Sequence, residues 1–286
     1  GVCSVTPVWD LDDGAHTWLV RATDAQGGER STAARTVTVD TTPPSAFALT
    51  APADGLATAN ARPAFSWGAS ADSGTGVDHY DLLLDGEVYA GGLAAGQATF
   101  TPPADLLDGA HRWTVRAVDG AGNTRSASAR SLTVDTTPPA TTVDAAPPAI
   151  TVKATARLTF SASEGGATFA CRVDGGSWDA CVSPVDLSGL DEGDHQFEVR
   201  ASDALGNTDP TPAQAQWTVD TTTPPTARLV ATPNPAATGV PVELSAATSA
   251  AHGDGTIVSY AWDLDGDGSF ETPPASAATV THTFAD

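Results

Sequence analysis

The sequence predicts an all-β chain built from tandem antiparallel two-sheet sandwiches. Short runs alternate apolar and polar residues, and no segment of note holds the helical period. Gly, Pro, Asn and Asp punctuate these runs at close intervals, as they do between strands of a sandwich. Hydrophobic residues are 41% of the 286, yet aromatics are 6% and Met is absent. Each core must therefore be small and made of Val, Leu, Ala and a few Trp, which suits thin two-layer modules better than one large globule.

The elements follow from a phrase that occurs three times. It runs Asp13-Gly14-Ala15-His16-Thr17-Trp18-Leu19-Val20-Arg21-Ala22, then Asp108-Gly109-Ala110-His111-Arg112-Trp113-Thr114-Val115-Arg116-Ala117, then Glu192-Gly193-Asp194-His195-Gln196-Phe197-Glu198-Val199-Arg200-Ala201. His, Trp or Phe, Val and Ala fall at alternate positions, so they share one face of a strand. A turn follows, clearest in Asp119-Gly120-Ala121-Gly122-Asn123 and Asp203-Ala204-Leu205-Gly206-Asn207. Gly with Asn or Asp supplies the left-handed positions that a tight hairpin requires. A second alternating run ends in Val-Asp-Thr-Thr at Val39–Thr42, Val134–Thr137 and Val219–Thr222, and a diproline closes each copy. The diproline cannot extend a ladder and holds the preceding Thr extended, so it reads as a stiff exit.

These signals divide the chain at 1–42, the last strands of one module; 43–137, a full module; 138–223, a second; and 224–286, a module of different sequence that lacks its last strands. The expectation is a piece of a longer protein. Head-to-tail completion, in which residues 1–42 of one copy supply the strands that 224–286 lacks, is the less economical explanation.

Val-Asp-Thr-Thr-Pro-Pro together with Asp-Gly-x-His-x-Trp-x-Val-Arg-Ala resembles the bacterial immunoglobulin-like repeats of large surface adhesins and secreted multidomain proteins. The resemblance covers about residues 1–223. Residues 226–286 resemble a PKD domain, through Asp254-Gly255-Thr256-Ile257-Val258-Ser259-Tyr260-Ala261-Trp262-Asp263 and Thr281-His282-Thr283-Phe284. The resemblance implies tandem immunoglobulin-like antiparallel β-sandwiches arranged as an elongated rod, extracellular or on a cell surface.

Cys171 and Cys181 flank Asp174-Gly175-Gly176, a hairpin turn that sets them on facing strands, and no second Cys/His pair accompanies them to hold zinc. A disulfide is expected there, with an oxidising compartment. Phe169–Cys181 also resembles a cystine hairpin of such repeats. Cys3 sits where its own partner would precede Gly1. The family carries a Tyr bonded back to the backbone where His16, His111 and His195 stand, so these three read as structural corner residues. Trp18, Trp113, Trp217 and Trp262 are expected in cores, and Trp9 and Trp178 near the surface.

Two candidate calcium sites stand out. Asp263-Leu264-Asp265-Gly266-Asp267-Gly268-Ser269-Phe270-Glu271 places carboxylates at alternate positions around a turn, with the Ser269 carbonyl as a further oxygen. The bidentate Glu of an EF-hand would fall at Pro274, so that pattern fails and binding should be weak. The second is at the joints. In such a sandwich the turn before the last strand lies at the end opposite the exit, which brings Asp119 and Asn123 toward Asp40, and Asp203 and Asn207 toward Asp135. Calcium stiffens such joints in similar adhesin repeats; Gly28 replaces the Asn in the first copy.

Lys and Arg total 13 against 35 Asp and Glu, a net charge of −22. Such a surface repels phosphate backbones and anionic membranes, so nucleic acid is not an expected partner. No apolar run reaches the roughly 18 residues of a membrane helix. No Gly-x-Ser-x-Gly, His-Glu-x-x-His or phosphate-cradling loop appears, so the chain is not read as an enzyme. The expected function is a non-catalytic spacer or adhesion stalk, whose surface or matrix ligand is bound by regions outside these residues. The alternative is a set of carbohydrate-binding accessory modules of a secreted hydrolase. Thr- and Ser-rich outward positions favour the stalk.

Overall fold

The computed structural model describes residue 6 and residues 9–285, so Cys3 and its expected upstream partner lie outside the described residues. The described residues hold strands and no α-helix, and the chain divides into two compact units, Gly1–Thr137 and Pro138–Asp286.

The first unit opens with β1 (Gly14–Trp18), β2 (Arg21–Thr23), β3 (Glu29–Ser31) and β4 (Arg35–Val39). β1 pairs antiparallel with β4, and β2 with β3. Neither ribbon has a second sheet packed on it among the described residues, so Trp18 is 49% exposed, contrary to the core position expected for it. Its counterpart Trp113 is fully buried, because a complete sandwich surrounds it.

That sandwich comprises β5 (Leu49–Ala51), β6 (Leu56–Thr58), β7 (Phe65–Trp67), β8 (Val77–Leu84), β9 (Glu87–Ala94), β10 (Thr99–Phe100), β11 (Gly109–Asp119), β12 (Thr124–Ser126) and β13 (Arg130–Val134). One sheet has the order β10-β7-β5; the other has β6-β13-β11-β8-β9, with β12 also on β11. Alternation decides the faces. Trp113, Val115 and Ala117 of β11 point inward with Tyr80, Leu82 and Leu84 of β8, against Leu49, Phe65 and Trp67 of the smaller sheet. Phe65 meets Trp113 edge-on at 4.9 Å between ring centroids, a geometry that suits aromatic quadrupoles. The outward face carries Arg116 opposite Asp81, joined at 2.7 Å.

The second unit repeats the plan with β14 (Thr141–Ala145), β15 (Ile150–Thr151), β16 (Thr155–Ala162), β17 (Thr168–Val173), β18 (Asp179–Cys181), β19 (Val185–Ser188), β20 (Gly193–Ser202) and β21 (Ala213–Val219). Sheet β14-β16-β19 faces sheet β15-β21-β20-β17-β18. Leu158 and Phe160 of the first meet Phe197, Val199 and Trp217 of the second. Residues 226–285 follow with β22 (Val230–Thr232), β23 (Pro241–Ser245) and β24 (Thr279–Thr283) in one sheet. Val242 and Leu244 are buried there, while Trp262, expected in a core, is only half-buried. The strand expected to carry Trp262 is reduced to one bridge, Tyr260 to Ala275, so little covers its ring.

Candidate functional site

The ends of the modules gather the chain's carboxylates. The first residue of each repeated phrase grips the Thr residues that leave the last strand. Asp13 Oδ1 accepts the Thr41 amide at 2.9 Å and the Thr41 hydroxyl at 2.9 Å, and Oδ2 accepts the Thr42 hydroxyl at 2.7 Å. Asp108 does the same with Thr136 at 3.0 and 2.9 Å and Thr137 at 2.6 Å. Glu192 takes the place of Asp in the third copy and accepts the Thr221 amide at 3.0 Å and its hydroxyl. These bonds favour the charged carboxyl, so the Thr42 and Thr41 hydroxyls hold Asp13, and those of Thr137 and Thr136 hold Asp108, below the usual range. Each clamp fixes the chain just before its diproline.

Asp40 stands between such a clamp and the next module. Its Oδ2 accepts the amide and hydroxyl of Thr75, both at 2.7 Å, and its backbone carbonyl accepts Asn123 Nδ2 at 3.0 Å. Asp119 accepts the amides of Ala121 and Asn123 at 2.9 and 2.8 Å on Oδ1, and Asn123 Nδ2 at 2.9 Å on Oδ2. Burial works against its charge, yet the Asn123 side chain and the turn amides hold its carboxyl below the usual range. A third carboxylate, Asp72, completes the cluster: carboxylate oxygens of Asp40, Asp72 and Asp119 all lie within 4.8 Å of one another. Asp40 and Asp119 are 8% and 2% exposed. Gly74 is required beside them, since a Cβ there would meet the Asp40 carboxylate at 2.4 Å.

The second unit contains the same turn. Asp203 Oδ1 accepts the amides of Leu205 and Asn207 at 2.8 Å each, and Oδ2 accepts Asn207 Nδ2 at 2.7 Å. Asp135 belongs to the first unit, where its amide donates to Thr58 O at 3.0 Å and its Oδ1 accepts the Thr137 amide at 3.2 Å. In the first copy Asp24 Oδ1 accepts the amides of Gln26 at 3.0 Å and Gly28 at 2.7 Å, and Gly28, standing where the other copies have Asn, has no side chain to reach Oδ2.

In residues 263–271, carboxylate oxygens of Asp263, Asp265, Asp267 and Glu271 also lie within 4.8 Å of one another. Asp263 accepts the amides of Gly266 at 2.7 Å and Gly268 at 3.0 Å, which curls the loop around the cluster. Ser269 enters through its amide, donated to Asp267 Oδ1 at 2.7 Å.

The remaining expected residues stabilise the modules. Cys171 and Cys181 form a disulfide across the β17–β18 hairpin, whose turn holds Asp174 at φ 51° and Gly175 at φ 72°. The histidines bond back four residues: Nε2 of His16, His111 and His195 donates to the carbonyls of Asp12, Leu107 and Asp191 at 2.7, 2.8 and 2.9 Å. In the two full modules Nδ1 also faces a carboxylate, Asp85 for His111 and Asp174 for His195, each at 2.8 Å. Oxygen acceptors at both nitrogens favour the doubly protonated ring. For His195 the Asp191 carbonyl and then Asp174 raise the pKa; for His111 burial opposes the charge, but Asp85 and the Leu107 carbonyl prevail. Trp178 lies half-buried with the guanidinium groups of Arg172 and Arg200 at 4.6 and 4.4 Å from its ring.

Residues 50–136 match the bacterial Ig-like domain family, and residues 226–286 match the PKD domain family. The chain thus carries a bacterial Ig-like domain and a PKD domain. Exoglucanase B of Cellulomonas fimi is 36% identical in an alignment of 236 positions that covers 74% of this chain and 21% of that protein. Among solved structures, the fibronectin(III)-like modules of Clostridium thermocellum CbhA align at a TM-score of 0.34 and 20% identity, over 61% of this chain and 94% of theirs. A structure of a 1.5-MDa bacterial ice-binding adhesin aligns at 0.36 and 20%, over 73% of this chain and 75% of its own.

Domains of these two families are typically non-catalytic and fit a structural or adhesion module. What the Ig-like and PKD clusters offer is hard oxygen. Calcium takes about six to eight oxygens at about 2.3–2.6 Å. Carboxylate atoms within 4.8 Å of one another can therefore all touch one such ion. No helix among the described residues is long and apolar enough to cross a membrane.

Proposed function

We propose that this chain is a non-catalytic spacer of a secreted or cell-surface protein, whose modules, with boundaries near residues 42, 137 and 223, are held in fixed succession by their joints. The observation that carries the reading is the thrice-repeated carboxylate–threonine clamp at the strand exits, followed in each copy by two prolines. A clamp of this kind fixes the backbone where a flexible linker would leave it free, and the prolines then limit φ. The disulfide supports an oxidising compartment.

Calcium is proposed as the ion that neutralises the Asp40, Asp72 and Asp119 joint, with Asn123 bracing it. It is proposed equally for the Asp263, Asp265, Asp267 and Glu271 loop. Buried like charges held this close repel unless a cation balances them. Residual dipolar couplings test the first joint in the full chain. One alignment tensor should fit residues 14–39 and 50–134 in calcium, and two independent tensors there would remove the spacer reading.

The exoglucanase relative favours a second reading, an accessory region of a secreted hydrolase. Binding of sugar by ring stacking has little support in Trp178, whose ring already carries two guanidinium groups. Co-sedimentation with insoluble cellulose separates the two: a spacer stays in the supernatant.

A further inference from the structure

The passage from β21 into the PKD domain has a chemistry unlike the acidic joint at Asp40. Asp254 lies in the loop 252–255 of the PKD domain and reaches back to the segment after β15. Its Oδ1 accepts the Thr151 hydroxyl at 2.8 Å and the Val152 amide at 2.9 Å, and its Oδ2 accepts Lys153 Nζ at 2.5 Å. Lys153 is the sole lysine in the sequence. Thr151 is itself 2% exposed and anchored in the module, since its carbonyl accepts the Asp220 amide at 2.9 Å. On the other side of the loop, His252 Nε2 approaches Asp220 Oδ2 at 3.1 Å. A glycine lets the surfaces close: a Cβ at Gly253 would meet the Ile150 carbonyl at 3.0 Å. Past the linker, Thr226 and Ala250 exchange backbone hydrogen bonds at 2.8 and 3.0 Å, which fixes the base of the same loop.

We infer that Asp254 is the plug of a cation-independent joint, by which the PKD domain locks onto the Thr151–Lys153 edge of the preceding module. Three donors converge on one carboxylate, so the site needs no metal to balance its charge. Lys153 is well exposed, so its ion pair adds little by itself. The weight falls on the Thr151 and Val152 bonds, which link a buried residue and a backbone amide to a charged acceptor. A chain of net charge −22 thus places its one lysine and one of its histidines at this joint. The joint differs in kind from the Asp40 cluster, where no cationic side chain among the described residues pairs with Asp40, Asp72 or Asp119. Calcium binding at the acidic clusters leaves this joint unchanged.

Hydrogen exchange on the full chain reads the joint at one atom, the Val152 amide. In wild type this amide should be protected equally in calcium and in chelator. Asp254→Ala should cost it roughly tenfold or more in protection, the loss expected for a hydrogen bond to a charged acceptor. Amides of Val242 and Leu244 should keep theirs, showing that the PKD sheet stays folded. Thr151→Val, which leaves the PKD sequence untouched, should move Val152 in the same direction and decides the matter if Asp254→Ala unfolds its domain. In wild type, 15N relaxation should give one rotational correlation time for residues 138–219 and 226–285, and two in either variant. Unchanged Val152 exchange in both variants, or a wild-type joint that loosens in chelator, would overturn the proposal.

Discussion

Removing the Cys171–Cys181 disulfide should destabilise one module and leave the Ig-like domain of residues 50–136 unmoved. The bond joins residues 10 apart across the β17–β18 hairpin, and Cys171 is packed in the core with Phe197 and Val199. Closing a loop of that length removes about 2.7 kcal/mol of unfolded-chain freedom at 25 °C on the chain-entropy account. The module is about 86 residues long, and unfolding entropy near 2.1 cal/mol/K per residue makes one kcal/mol worth about 5–6 °C. Reduction should therefore lower its melting temperature by about 15 °C. Reduced thiols fill the same volume, so no cavity adds to this figure. Calorimetry of the full chain, oxidised and reduced, carries its own control, because residues 43–137 contain no cysteine. A shift below about 4 °C would mean that the bond does not constrain the unfolded module. An equal shift of both units would show that the reductant acts elsewhere.

Three further outcomes are expected. The His111 and His195 corners have raised folded pKa values, so their contribution is full below the ordinary value of 6.5 and is lost as pH rises through the folded values. Urea denaturation of wild type against a His111→Gln, His195→Gln double variant should show a gap at about pH 5.5 that narrows by about pH 8.5, on the order of 0.5–1 kcal/mol per site given the half-exposed Asp85 and Asp174. Equal gaps at both values would refute the charged-ring assignment. Asp108→Ala should speed hydrogen exchange at the Thr136 amide while Trp113 stays buried, as read by its fluorescence; an unchanged rate would mean that the clamp does not order the exit. Calorimetric titration with calcium should lose the heat of the weak site in Asp265→Ala and of the joint site in Asp119→Ala, and heat that persists in both would place the ion elsewhere.

The repeated phrase made the sandwiches legible because alternation is local: Trp113, Val115 and Ala117 announce an inward face without knowledge of what they meet. The hairpin disulfide was legible for the same reason, its turn and both cysteines lying within a few residues. Trp18 shows the limit, since the same phrase gives a buried Trp only where β8 and Phe65 are present to cover it. The clamps were missed although a signal existed: Asp13 to Thr41 and Asp108 to Thr136 are both 28 residues apart, and Glu192 to Thr221 is 29. Constant separation between two repeated motifs points to contact between them. Asp72 gave no such signal, because it joins Asp40 and Asp119 from the β7–β8 loop, outside the repeated phrase. Asp254 and Lys153 are 101 residues apart, and only the scarcity of lysine marked the pair.

The central claim, that these modules act as a spacer with ordered joints, is tested most directly by small-angle X-ray scattering of the full chain in calcium, in chelator and with Asp119→Ala. The account predicts low flexibility in calcium, a measurable gain in flexibility in chelator, and a smaller gain in the variant. Scattering from freely jointed modules in calcium, indistinguishable from that in chelator, would contradict it.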